Sequence, residues 1–402
     1  MLKTVVGLVI LVFIALAGYR RLFARMPLPA GARFFFITGT EFIFIGLALG
    51  DQFLGLLDRE TIGHLNPLFS LGLGYFGLIF GLQFEGDKLR RFPRAFFPAT
   101  VIQAAVTFGL VYICFAGLLH QMSFGLQAGI FALAVAAVAC CSSPAMIALI
   151  IKETKPRRSR DIELIRYIGG VDTIIGIVLF GIAAGILHTA SLSRGGYFFA
   201  FFQAMGASIV FGAGMGFLLH LLTRTHCAED ELWVFVIGII TFTGGGSLYF
   251  GLSPLFVTMI SGITAVNLSG NKDRVFMALA RQEKPFYIVF LILAGAVWQP
   301  GILSGTGLAA IYVICRGAGK ILGGYAAARH ISGKFAVSPL IGFGLISQSG
   351  VAVAMAAGLY LSGGGYVIDM LVAMLILSVI VNELISPSMT ARLLAESGET
   401  TL

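Results

Sequence analysis

The chain has 402 residues, of which 58% are hydrophobic and 11% charged, with 52 glycines and a formal net charge of +8. A soluble domain carries about 25% charged residues, so this balance excludes an ordinary soluble protein and fits a polytopic membrane protein with many small-residue helix contacts. The positive excess reads as lysine and arginine retained on cytoplasmic loops, not as a nucleic-acid surface.

A bilayer core about 30 Å thick needs roughly 17–25 apolar residues per helix. Thirteen spans are predicted in chain order, at 2–19, 34–50, 67–83, 95–119, 124–151, 164–187, 197–222, 232–248, 252–268, 285–301, 304–326, 337–361 and 366–388. The first has one basic residue before it and several after it, without a convincing small-x-small cleavage site. It is therefore read as a retained helix and not as a signal peptide. Cys114, Cys140, Cys141, Cys227 and Cys315 lie mostly in apolar runs, without metal-site spacing, and no disulfide framework is expected.

Placing the N-terminus outside and alternating puts 21 of the 27 lysines and arginines on inside loops. Only Lys3, Arg59 and Arg194 fall outside, and Arg166, Arg316 and Lys320 fall within spans. This bias orients the chain with its N-terminus outside and its C-terminus cytoplasmic. The chain then divides into an N-terminal helix and basic loop (1–33), a membrane domain (34–390) and a short cytoplasmic tail (391–402).

Four spans carry polarity at comparable depth. Counted at 1.5 Å per residue from the inner face, Asp172 lies about 12 Å deep, Lys320 about 9 Å and Arg316 about 15 Å. Ser143, in Cys140-Cys141-Ser142-Ser143-Pro144, lies about 12 Å deep, and Pro144 removes a backbone donor there. The Gly344–Gly350 run, with Ser347, Gln348 and Ser349, lies about 15 Å deep and is poor at staying helical. Two interrupted helices at matching depth, one in each half, mark a secondary-transporter site. The spans at 95–187 and 304–388 form two triplets of opposite topology, as an inverted repeat requires.

An intramembrane carboxylate is expensive unless it is paired, hydrated or used. Asp172 is therefore read as a cation- or proton-binding group, with a purely structural ion pair as the alternative. Ser142 and Ser143 either contact the ion path or back-bond to their own helix, and Gln348 is similar. Lys320 and Arg316 either brace the broken helices or take part in transport. Glu41 is read as a structural or interface residue, and Asp369 as a group facing water at an outer helix end. Asn382-Glu383 marks an inner vestibule or a solvated helix end. No nucleophile–base pair, His-rich metal spacing or P-loop is present, which speaks against an enzyme. No cofactor is expected, and no metal beyond a transported monovalent cation.

These residues resemble the monovalent cation:proton antiporter superfamily, particularly its bacterial sodium (or potassium)/proton exchangers. Leu71-Gly72-Leu73 through Phe80-Gly81-Leu82-Gln83-Phe84-Glu85 looks like the family's segment ending in Gly-Leu-Glu. Ser142-Ser143-Pro144-Ala145 looks like its unwound crossing helix, often Thr-Asp-Pro-Ala. Gly251-Leu252-Ser253-Pro254, Pro285-Phe286-Tyr287 with Ala294-Gly295-Ala296, Arg316-x-x-Gly319-Lys320 and Gly344–Gly350 follow in family order. The resemblance implies an all-α fold of about thirteen transmembrane helices with two crossed, interrupted helices. It also implies exchange of sodium or potassium for protons by alternating access, a homodimer, and a bacterial inner-membrane location.

Two departures stand out. The family's Asp-Asp or Asn-Asp pair is here Asp172-Thr173, or Val171-Asp172 in a register one residue away. Ser143 stands where many relatives have Asp. The competing readings are a sodium-coupled organic-anion symporter of similar fold and a non-transporting sensor or channel-like derivative. Glu41 and Glu383 are possible accessory groups.

Overall fold

In the computed structural model the described residues are 2–19, 39–122, 124, 127–143, 147–148, 160–189, 196–224, 228–268, 272–298, 303–348, 350–363 and 365–396. Among them the chain is helical apart from turns and one isolated bridge between Gly50 and Leu57. The helices are α1 (Leu2–Tyr19), α2 (Glu41–Leu49), α3 (Arg59–His64), α4 (Asn66–Leu82), α5 (Gly86–Leu89), α6 (Phe96–Gln121) and α7 (Gln127–Cys140). They continue with α8 (Arg160–Thr189), α9 (Gly196–Arg224), α10 (Glu229–Tyr249), α11 (Pro254–Leu268), α12 (Lys272–Val297) and α13 (Leu303–Ile331). A short 3-10 turn (Ile341–Leu345), α14 (Gly350–Leu361) and α15 (Tyr366–Glu396) complete the order.

Each predicted span contains helix among the described residues. Five helices are long and apolar enough to cross a membrane: 96–121, 160–188, 201–224, 230–249 and 366–396. The shorter apolar helices include α4, α7, α11 and α14, two of which stop at the predicted interruptions. The short α3 and α5 are additional. Asp58 caps α3 by accepting from the Thr61 N–H at 2.9 Å, which satisfies one of the orphan donors of a helix start. α12 begins at Lys272, well before the predicted start at 285; its charged first turns lie outside the apolar stretch yet remain helical. α15 runs on to Glu396, so residues expected in the tail are helical.

The helices form two groups. In the flanking group, α11 packs on α4 and α9, and α2 on α12. Glycine allows these approaches: a Cβ on Gly77 or Gly81 would run into the backbone of α11, and one on Gly46 into the Ile292 carbonyl. Tyr75 of α4 stacks on Phe286 of α12 with ring centroids 4.4 Å apart. Small-residue seams of this kind replace the hydrophobic drive that helices lack in lipid.

The crossing group comprises α6–α8 and α13–α15. α13 lies along α6, and α7 lies between α6 and α8. A Cβ on Gly323 would meet the Gln103 carbonyl of α6, and one on Gly324 would meet Gly342 of the 3-10 turn. α13 is thereby drawn against α6 on one side and the second interruption on the other. At one end of the molecule Gly251, with φ +68°, turns the chain from α10 into α11. The His188 ring of α8 occupies the space a side chain there would need, so this contact joins the two groups.

Candidate functional site

The first interruption follows from one missing donor. A proline at position 144 has no N–H, so the Cys140 carbonyl loses its partner four residues on. α7 ends at Cys140, residues 141–143 are non-helical, and the Ser143 carbonyl accepts from the Ile147 N–H at 3.1 Å. Pro144 itself lies outside the described residues, as does Ser349. The second interruption, Ile346–Gln348, separates the 3-10 turn from α14. Gly350 opens α14 where the Tyr287 ring leaves no room for a Cβ.

The two interruptions meet. The Ser142 hydroxyl lies 3.2 Å from the Leu345 carbonyl. The Arg316 side chain, fully buried, spans both. Its Nε donates to the Ala139 carbonyl at 3.2 Å and its Nη2 to those of Cys141 at 2.7 Å and Ser347 at 3.2 Å. Its Nη1 donates to the Ile346 carbonyl at 2.6 Å. The fixed fork of a guanidinium suits this task, which a single ammonium could not perform.

Asp172 of α8 faces the same junction and is fully buried. Lys320 Nζ approaches its Oδ2 at 2.8 Å, and both side chains are 0% exposed. Lys320 also donates to the freed Cys140 carbonyl and to the Ser142 hydroxyl, the latter at 2.9 Å. The Ser142 hydroxyl is 2.7 Å from Asp172 Oδ2, and the Ser142 N–H donates to Oδ1 at 3.3 Å. One hydroxyl carries one proton, so Ser142 donates either to Asp172 or to Leu345. The Thr173 hydroxyl has three acceptors in reach: the Gly169 carbonyl at 2.9 Å, the Ser142 carbonyl at 3.0 Å and Asp172 Oδ1 at 3.3 Å.

The structure therefore brings Asp172, Thr173, Ser142, Lys320 and Arg316 together. Of the two positions flanking Asp172, Thr173 shares the junction, whereas Val171 packs in an apolar cluster with Ile168 and Ile147. Ser143 is buried beside them. Ser347 lies in the second interruption with its hydroxyl unpartnered among the described residues. Gln348 donates to the Tyr312 hydroxyl at 3.1 Å and accepts from the Asn382 amide at 3.0 Å.

Other candidates fall elsewhere. Glu41 begins α2, against α12, with Lys284 as its charged neighbour. Among the described residues no hydrogen bond or ion pair joins it to Asp172. Glu383 is buried on α15. Asp369 differs from its expected place in water: it is 7% exposed and pairs at 2.7 Å with Arg59, the first residue of α3.

Tyr312 was missed. It precedes Arg316 and Lys320 by one and two turns on the same face of α13, and that spacing was the available signal. Gln103 and Thr107, both 0% exposed on α6, were missed as well.

Chemically, the junction offers a carboxylate, two hydroxyls and several helix-end carbonyls. Oxygen donors of this kind suit hard cations, while a lysine ammonium fills the position of the counter-charge.

The sequence matches the family described as "Sodium/hydrogen exchanger, transmembrane" over residues 7–396. It is 24% identical over 255 residues to an ammonium/H+ antiporter subunit of Alkalihalophilus pseudofirmus, a match covering 62% of each chain, so the chain spans less than two thirds of that relative. Its fold is similar, with a TM-score of 0.71, to the sodium proton antiporter of Methanocaldococcus jannaschii at pH 8; the match covers 98% of this chain and 99% of that one, at 14% identity. At that identity the likeness speaks for the fold.

Proposed function

Because the chain belongs to the sodium/hydrogen exchanger family, we propose that it exchanges a monovalent cation for protons across a membrane by alternating access. The observation that carries this reading is the fully buried Asp172–Lys320 pair at the meeting point of two interrupted helices. A buried pair of this kind gains little stability over apolar packing of the same volume, so its presence favours a working role.

Three states of the carboxylate then alternate. In the first, Lys320 neutralises Asp172 Oδ2, as in the structure. In the second, a dehydrated cation takes the ammonium's place, held by Asp172, the hydroxyls of Ser142 and Thr173 and nearby carbonyls, while Lys320 keeps the Cys140 carbonyl. In the third, a proton on Asp172 discharges the site and releases the cation. One carboxylate cannot hold both charges at full strength, so cation and proton compete, which couples their movements.

The crossing group, α6–α8 with α13–α15, moves against α2, α4 and α9–α12. Arg316 holds the two interruptions together during the movement. The flanking group supplies the contact of a homodimer, the N-terminus lies outside, and the membrane is the bacterial inner membrane. Organic-anion symport and a non-transporting sensor are not favoured by the family.

The cation is sodium or potassium, and the likeness to an ammonium/H+ antiporter subunit adds ammonium to the comparison. The test is proton flux in everted vesicles or proteoliposomes with sodium, potassium, lithium and ammonium in turn. Asp172→Asn abolishes cation-dependent proton movement on this reading; near-normal exchange in that variant would sink the assignment of Asp172.

A further inference from the structure

The junction leaves a second group of buried polar atoms unexplained. On α15, Glu383, Ser386 and Thr390 are 4%, 0% and 4% exposed. At about 100° per residue their spacing places all three within about 60° on one face of the helix. Among the described residues Glu383 Oε2, Ser386 Oγ and Thr390 Oγ1 have no hydrogen-bond partner.

Six other buried helical hydroxyls in this chain, those of Thr100, Thr107, Thr173, Ser247, Thr258 and Ser261, return to the carbonyl four residues back, whereas Ser70 and Thr243 are isolated exceptions on other helices. Ser386 and Thr390 do not follow that habit. Pro387, inside α15, has no N–H, so the Glu383 carbonyl also loses its helical donor. One face of one helix thus collects a carboxylate, a freed carbonyl and two uncommitted hydroxyls. Buried polar atoms are ordinarily satisfied, and such a concentration of acceptors calls for a ligand.

The neighbouring residue links this face to the junction. Asn382 donates to Gln348 in the second interruption, where the Ser347 hydroxyl is likewise unpartnered. Arg316 is the charged group that acts on Glu383. Glu383 lies on the C-terminal side of the junction, and Ser386 and Thr390 lead from it toward the end of α15.

We infer that Glu383, Ser386 and Thr390, with the Glu383 carbonyl, form a second monovalent-cation site, a staging post between the C-terminal end of α15 and Asp172. This rests on the antiport reading. An all-oxygen set headed by a carboxyl group suits a weakly held hard cation. Its proximity to Arg316 keeps the hold loose, so that the ion passes on.

The test uses the full-length protein in vesicles and has two arms. In the first, Ser386→Cys is exposed to a membrane-impermeant thiol reagent from the side of the C-terminus, and the peptide carrying position 386 is read by mass spectrometry. Labelling is expected, with slowing by sodium or potassium but not by an equal concentration of choline. In the second, Glu383→Gln raises the apparent KM for the cation about three- to tenfold with kcat within about twofold; Ser386→Ala, which keeps the helix and the charge, moves KM in the same direction.

Absence of labelling, labelling indifferent to the cation, or unchanged KM in both variants would overturn the inference. Absence of cation-dependent proton movement in the unaltered protein would overturn the antiport reading instead, while the labelling arm, which needs no exchange, still reports on the second site.

Discussion

Replacing Lys320 with methionine removes the ammonium that lies 2.8 Å from Asp172 Oδ2, and leaves a carboxylate with 0% exposure and no counter-charge. Breaking a buried pair from one side costs about 3–5 kcal/mol. Asp172→Asn leaves Lys320 uncompensated and costs a similar amount. The double variant has no charge to strand. Its remaining losses are the Lys320 donations to the Cys140 carbonyl and the Ser142 hydroxyl, of which the carbonyl left buried without its donor costs about 1–3 kcal/mol. The two substitutions are therefore strongly non-additive, with a coupling of at least about 2 kcal/mol.

At roughly 1.2 °C per kcal/mol for a chain of this size, each single variant lowers the apparent melting temperature by about 4–6 °C. The double variant is no less stable than either single one. The assay is thermal unfolding in detergent at a fixed heating rate, because large membrane proteins unfold irreversibly. Additive losses in the double variant would refute the claim that the pair is a buried, mutually dependent unit. Exchange activity is lost in every form lacking Asp172, including the stabilised double variant. Stability and transport thus separate in one set of proteins.

Two further outcomes are expected. Gly77→Ala places a methyl group against Thr258 and the α11 backbone and costs about 1–3 kcal/mol, whereas Gly109→Ala, with nothing within 4 Å of its added carbon, is neutral or stabilising by about 0.5–1 kcal/mol; parallel melting curves check the contrast, and equal effects would refute the seam. The thiols of Cys114 and Cys315 lie 3.4 Å apart across α6 and α13, both in the crossing group. Oxidative cross-linking of this pair is expected to leave exchange within about twofold of the uncross-linked protein, since a bond of about 2 Å is a small local change; arrest of transport on cross-linking, reversed by reductant, would show that α6 and α13 shift against each other during the cycle.

Much of the junction was legible in the sequence because its causes are local. Pro144 predicts a freed carbonyl, the Gly344–Gly350 run predicts a second interruption, and a fixed rise per residue places Asp172, Lys320 and Arg316 at one depth. Asp172, Ser142 and Lys320 then meet as that depth suggests. What escaped the sequence depends on partners that carry no signature. Arg316 binds four carbonyls, which any residue could supply. Asp369 pairs with Arg59 across 310 positions, and nothing near either residue announces the other. α12 begins before the predicted start: its first turns are charged, and read as loop when only apolar length is counted. The Gln348–Asn382–Tyr312 chain needs three helices in register before it exists.

Arg316 also bears on how tightly the two fluxes are tied. One guanidinium holds the carbonyls of Ala139, Cys141, Ile346 and Ser347 at once, so neither interruption can loosen without stripping donors from the other. A pathway through only one of them would be a leak, letting ions slip without their counter-movement. The cost of that leak is set by how many of the four bonds must break together. On the proposed antiport reading, a side chain that need never touch the ion would then guard the machine against wasteful slippage.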